Sequence, residues 1–415
     1  MSRETTWKIL LALLVWATIS ISLPWRWCRS VYEIGLFLLA GTIFWHGRQE
    51  PRRLLNGVLL LLGPALAGVL QLLSGTTVNR LDTVEAVVAW TASFAAAFAG
   101  RHALAHTALR HRFLTAAAVT GGLAALVCIV QIPLRGTQWA GFTVPDFDLY
   151  AGPFQNRNTY AAFALLLLPV VIWKAVTSKR SAWFWWGVAA LFPASVIATG
   201  SRAGSLLILC EIGSLLLIQI RARVLFPLTG VAIAVMATGS DTLADRLSHE
   251  DWSSHRRQLY ASTISMIAER PAIGHGLGTY ESAYPRFATF DLDRRVNHAH
   301  NDWLEWAAEG GLGVPLCLLG FLALVAWHAR RHLWSWGIAF VLAHSLVDYP
   351  LQRPGMSGWF WVLGGTVLAA SSSEKNNPKR RSTRSKRPSS KMEPAIDPAQ
   401  GSTESTDQSL ATAGH

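Results

Sequence analysis

Long apolar stretches, separated by short polar and often basic connections, dominate the chain. A helix crossing a bilayer needs about 20 mostly apolar residues. Twelve stretches are candidates: 7–24, 31–46, 54–74, 84–100, 112–132, 159–175, 182–199, 204–220, 223–239, 311–327, 333–347 and 356–372. Those starting at 31 and 333 are short, so ten or eleven crossings also fit the pattern. No stretch alternates apolar and polar residues in the manner of a membrane barrel. In lipid the backbone must then satisfy its own hydrogen bonds within each helix. The pattern predicts an all-α, polytopic membrane bundle of about 12 transmembrane helices, with a long helical loop outside the membrane over 240–310.

Three divisions follow: N-terminal transmembrane helices over 1–150, a second membrane region over 151–372 that includes the loop, and a tail over 373–415. The tail is rich in Ser, Lys, Arg, Pro and Thr and lacks the apolar residues for a core, so it is expected to be disordered. The N-terminal apolar run has no small-residue cleavage site after it and reads as an uncleaved first span.

Composition agrees with a bilayer setting. Hydrophobic residues make up 51% of the 415 positions, charged residues only 15%, and there are 19 tryptophans, a residue that favours membrane interfaces. The net charge of +12 does not argue for nucleic acid, because eight Lys and Arg fall between Lys375 and Lys391. With twelve spans, one side of the membrane collects 23 of the 37 Lys and Arg, including every Lys. The positive-inside rule puts that side, and both termini, in the cytoplasm.

Charge counting alone thus leaves four segments on the opposite face: 142–160, 199–204, the long loop and 348–355. These carry most of the chemistry. "NHAHNDWLEWAAEGG" (297–311) sets His298 and His300 ahead of Asp302 and Glu305, whose spacing is that of a capping box with a helix starting near Asp302. The dipole at a helix N-terminus disfavours imidazolium, and a neutral imidazole can take a proton from a hydroxyl. Interfacial histidines with purely structural hydrogen bonds are the alternative. A metal site made by the two histidines and Asp302 has no third ligand at convincing spacing. In the loop, 253–271 reads as an amphipathic helix stopped by Pro271, with Leu259, Thr263, Met266 and Ile267 on one face and Arg256 at its border. "GHGLGTY" (274–280) is either a tight turn or a phosphate cradle. "TGSRAG" (199–204) pins Arg202 at the outer boundary, to bind an anion or simply to snorkel. An anionic head with a lipid tail would suit such a face.

The motifs resemble those of the O-antigen ligase and O-antigen polymerase superfamily of bacterial membrane glycosyltransferases. "GPFQNRNTYAAF" (152–163), "TGSRAG", "RRQLYASTISMIAERPAIGHGLGTY" (256–280), "HNDWLEWAAEGGLG" (300–313) and "HSLVDYPLQRP" (344–354) follow in the family's order over about 150–370. The first five spans resemble the family only in kind. The resemblance implies transfer of a glycan from a polyprenyl diphosphate carrier to a hydroxyl acceptor, lipid A–core or a growing glycan, at the periplasmic face of the inner membrane. No cofactor or metal is implied. It assigns Arg202 and, best, Arg256 to the diphosphate, with adjacent Arg257 leaving the second assignment ambiguous, and His300 to the base. Arg257, adjacent to Arg256, His298, Asn156, Asn158 and Asp348 are implied as substrate-binding groups. Ligase, polymerase and protein glycosylation stay open at this point. From another class, a transporter of lipid-linked saccharide or solute is favoured by Glu211, deep in a span, and a scaffold would leave the arginine–histidine cluster unexplained.

Overall fold

The computed structural model describes residues 1–20, 23, 25–46, 57–131, 138–139, 142–143, 151–218, 251–289 and 295–375. The expected span at 223–239 and the expected disorder of the tail from 376 onward lie outside the described residues.

The described chain is helical almost throughout. The N-terminal half forms α1 (Arg3–Ser20), α2 (Arg26–His46), α3 (Leu62–Ser74), α4 (Arg80–Ala103) and α5 (Thr107–Gln131). After a two-residue antiparallel pair, Gln138–Trp139 with Phe142–Thr143, come α6 (Arg157–Thr177), α7 (Ala182–Ala198) and α8 (Arg202–Ile218). The loop contributes α9 (Asp251–Glu269) and the short α10 (Tyr280–Ala283). Then follow α11 (Asp302–Gly310), α12 (Gly313–Ala329), α13 (Gly337–His344) and α14 (Pro354–Lys375).

Four helices, α2, α4, α5 and α6, are long and apolar enough to cross a membrane by length and composition. Several other expected spans are shorter or broken. The stretch at 54–74 becomes a 3-10 turn, Val58–Leu61, before α3, with Gly57 in the left-handed region at its start. The one at 333–347 splits into a 3-10 turn, Leu333–Ser335, and the eight-residue α13. Helix length therefore does not by itself establish twelve crossings.

α6 is the buried axis of the bundle. Every residue from Thr159 to Ile172 is buried, as expected of a helix apolar on all sides. α4 and α14 pack on small residues instead. A Cβ on Gly365 would collide with the carbonyl of Ala97, so the two backbones approach as small residues allow in membrane helices. The exterior keeps large apolar side chains bare, among them Leu73, Trp183 and Leu217, at 80%, 85% and 88% exposure. Lipid is the solvent that such a surface suits.

The loop has a small apolar core of its own. Leu259 and Met266 of α9 pack with Tyr280, Tyr284, Ala299 and Ala308, which is the face that the helical spacing predicts. The helix ends at Glu269, before Pro271. This packing holds α9 against α11 and thereby positions Arg256.

Candidate active site

α11 begins at Asp302, as the sequence suggests, but its cap differs from the expected capping box. Asn301 is the N-cap: its side-chain oxygen accepts from the amides of Trp303 (3.0 Å) and Leu304 (3.1 Å), and its amide group donates to the carbonyl of Leu346. Glu305 turns away to take His298 Nδ1 at 2.8 Å and the Ala299 amide at 2.6 Å. A carboxylate that accepts a ring nitrogen and an amide meets more of its hydrogen-bonding capacity than one reaching back to a single capping amide.

The Asn301 cap forces the turn before it. His300 has φ +52°, the only positive φ outside glycine among the described residues. Such a backbone is uncommon for a side chain of this size, and its carbonyl is held by the Tyr260 hydroxyl at 3.0 Å. The imidazole reaches Asp348, with Nδ1 3.3 Å from Oδ1. Asp348 is buried in the turn after α13, where Oδ1 also accepts the Tyr349 amide at 3.0 Å. Burial pushes its carboxyl up. The hydrogen bond from His300 and the electrostatic influence of His344, His300 and Arg256 outweigh that and hold it below the usual aspartate value. Asp302 goes the opposite way. Burial, reinforced by the neighbouring Glu305 and Asp348, raises its carboxyl well above the usual value although it accepts from the Leu351 amide.

Arg256 projects from α9 to the same turn, donating from one terminal nitrogen to the Val347 carbonyl at 2.8 Å. Its neighbour Arg257 is exposed. Helix geometry thus separates two adjacent arginines that the sequence leaves ambiguous: Arg256 is half-buried at the site and Arg257 faces outward.

Tyr349 joins the remaining groups. Its ring stacks on His298 at 3.9 Å between centroids and meets His300 edge-on at 5.1 Å. Arg353 lies over the ring at 5.2 Å, and Asn156 and Arg353 hydrogen-bond its hydroxyl. Asn156 is the N-cap of α6, accepting the Asn158 amide at 2.7 Å. Asn158 in turn accepts the Ser201 hydroxyl at 2.7 Å. Ser201 is buried and immediately precedes Arg202, the first residue of α8. So the Asn-x-Asn pair ties the Ser-Arg hairpin to the histidine motif. Among the described residues Arg202 itself makes no hydrogen bond or ion pair with the other candidates.

The glycine-rich turn is not a phosphate cradle in this fold. The amides of His275 and Gly276 donate to the carbonyls of Ala308 and Glu309, that of Leu277 to Gln71 Oε1, and that of Tyr280 to Glu309 Oε1. Amides spent inside the protein are not available to an anion. Glu211 is fully buried midway along α8.

Sequence reasoning missed Tyr349, Tyr260 and the His298–Glu305 pair. Tyr260 carried a signal, since it lies four residues after Arg256 and hence on the same helical face. Tyr349 carried none beyond standing next to Asp348.

The N-termini of α6, α8, α11 and α14 and the end of α13 converge on one constellation: a histidine–aspartate pair, a half-buried arginine and a stacked tyrosine, carried by a multi-pass helical membrane protein. A family model described as O-antigen ligase matches residues 187–319, from α7 through part of α12, and so includes Arg202, Arg256 and His300 but not Asn156, Asn158 or Asp348. That match covers about a third of the chain, and over that segment the protein is similar to the O-antigen ligase family. A comparison with curated proteins finds no match.

Proposed function

We propose that the protein is a bacterial inner-membrane glycosyltransferase, moving a glycan from a polyprenyl diphosphate carrier to a hydroxyl acceptor at the periplasmic face. The observation that carries this reading is the convergence of His300, Asp348 and Arg256 on one turn, in a chain whose matched segment belongs to surface-polysaccharide assembly.

In the proposed reaction Asp348 holds the proton on His300 Nδ1, which leaves the lone pair on Nε2. Nε2 takes the proton of the acceptor hydroxyl as its oxygen bonds to the anomeric carbon. The bond from that carbon to the diphosphate oxygen breaks on the opposite side, with inversion. The electron pair departs with the diphosphate, whose growing charge Arg256 and Arg202 neutralise. His300 then gives its proton to solvent. Asn156 and Asn158 hold the hairpin and Tyr349 in register.

The test uses purified protein in nanodiscs with a polyprenyl diphosphate-linked oligosaccharide and candidate acceptors. Glycan transfer with release of polyprenyl diphosphate, lost in His300→Ala, supports the proposal. Movement of the intact lipid between leaflets without bond cleavage would replace it with a transporter.

A further inference from the structure

Beside the His298 wall of this site lies a cavity of ≈ 420 Å³ that the reaction above does not use. α2, α4, α11 and the start of α14 enclose it, and His298, Glu305 and Arg353 belong both to its wall and to the surroundings of Tyr349. Small-ligand sites run from about 300 to 1,000 Å³, so the volume suits a sugar ring.

We propose that this cavity is the subsite for the terminal sugar of the glycan acceptor, an uncharged or amino sugar. The inference rests on the transferase reading. Its walls combine two chemistries. Aromatic side chains supply the apolar part of the wall: Trp90 is the most open of them, with Tyr32, Tyr280 and Trp306 nearly buried behind it and Trp306 edge to face with Trp90 at 5.5 Å. Carboxylates can accept hydrogen bonds from hydroxyl or ammonium groups, and Asp82, Glu85 and Glu281 are the partly exposed ones in the wall, whereas Glu305 and Glu309 already accept from His298, Ala299 and Tyr280. Of the six carboxylates in the wall, Glu33, Glu85 and Glu281 are paired with Arg29, Arg26 and Arg295, and burial pushes Glu309 up to about 8. Asp82 and Glu305 remain against the guanidinium of Arg353, a balance that favours a neutral or ammonium-bearing sugar over one with its own carboxylate.

The same balance separates acceptor from donor. Arg202 and Arg256, assigned to the carrier diphosphate, are absent from the cavity wall. A diphosphate-linked sugar would have to lie close to both arginines, whereas an acceptor must approach from the side opposite the leaving group. A chamber without either arginine, on the far side of the His298–Tyr349 stack, suits the acceptor.

Saturation-transfer NMR on the full chain in nanodiscs tests this directly, with methyl glucoside, methyl glucosaminide and methyl glucuronide as probes. The first two give a signal and the glucuronide gives none. Ser93→Trp, which fills the cavity from α4, removes the signal, while Glu85→Gln at the rim weakens it for the glucosaminide first. Both variants are checked for wild-type elution and melting, and Glu85→Gln is the guard against misfolding of the larger change. Farnesyl diphosphate-linked glucose leaves the methyl glucoside signal in place. A signal undiminished in both variants, equal binding of the glucuronide, or displacement by the farnesyl-linked donor each overturns the proposal. No readout involves transfer, so failure here is distinguishable from failure of the reaction proposed above.

Discussion

His300 Nδ1 and Asp348 Oδ1 stand 3.3 Å apart across 48 positions of sequence. The contact exists because Asn301 caps α11 and donates to Leu346, while the Asp302 amide donates to the Ser345 and Asp348 carbonyls. Two turns are laced together, and the imidazole is oriented by the lacing.

If His300 is the base, its chemistry and its backbone role separate on substitution. Asparagine tolerates the left-handed region, so His300→Asn is expected to keep wild-type melting while transfer falls roughly 10²–10⁴-fold, the usual worth of a general base. Asp348→Asn keeps the fold and loses up to roughly 10⁴-fold, through the wrong imidazole tautomer. Initial rates of glycan transfer together with thermal melts check both.

The two adjacent arginines are expected to behave differently. Arg256→Ala removes a donor at the site and lowers turnover roughly 10²–10³-fold, whereas Arg257→Ala, at an exposed position, changes it by less than about tenfold. Comparing the two rates, with membrane abundance held equal, decides whether Arg256 serves the substrate.

Asp302 gives the fold a pH dependence of definite sign. Its carboxyl is raised by burial in the folded state, while an unfolded aspartate titrates near about 3.9. Above that value the folded protein keeps a proton that the unfolded chain has released, so stability falls as pH rises through this window. Asp302→Asn can still accept from the Leu351 amide. The variant should therefore gain melting temperature over wild type progressively from mildly acidic to neutral pH. A constant difference across that range would refute the assignment.

Gly274 is expected to tolerate no side chain. Its φ is +66°, and a Cβ there would collide with the carbonyl of Glu309. Gly274→Ala should destabilise the loop by about 1–3 kcal/mol, read as a lowered melting temperature. Loss of activity would follow only as the α9–α11 packing loosens.

What the sequence determined by itself is what depends on local periodicity and polarity. The helical class, the α9 face made by Leu259, Thr263 and Met266, and the start of α11 at Asp302 all follow from spacing within a few turns. Candidates for the site could be picked out too, because an arginine or histidine at a lipid threshold is conspicuous. Pairing was not legible. The choice of Arg256 over Arg257 depends on how α9 sits against α11, and Glu305 serving His298 rather than a cap depends on a turn that closes only in the fold. The hub role of Tyr349, joining Asn156 of α6 to both histidines, spans residues nearly 200 positions apart. Contacts of that kind are set by how helices pack, and packing answers to the shape of the whole bundle rather than to any one segment.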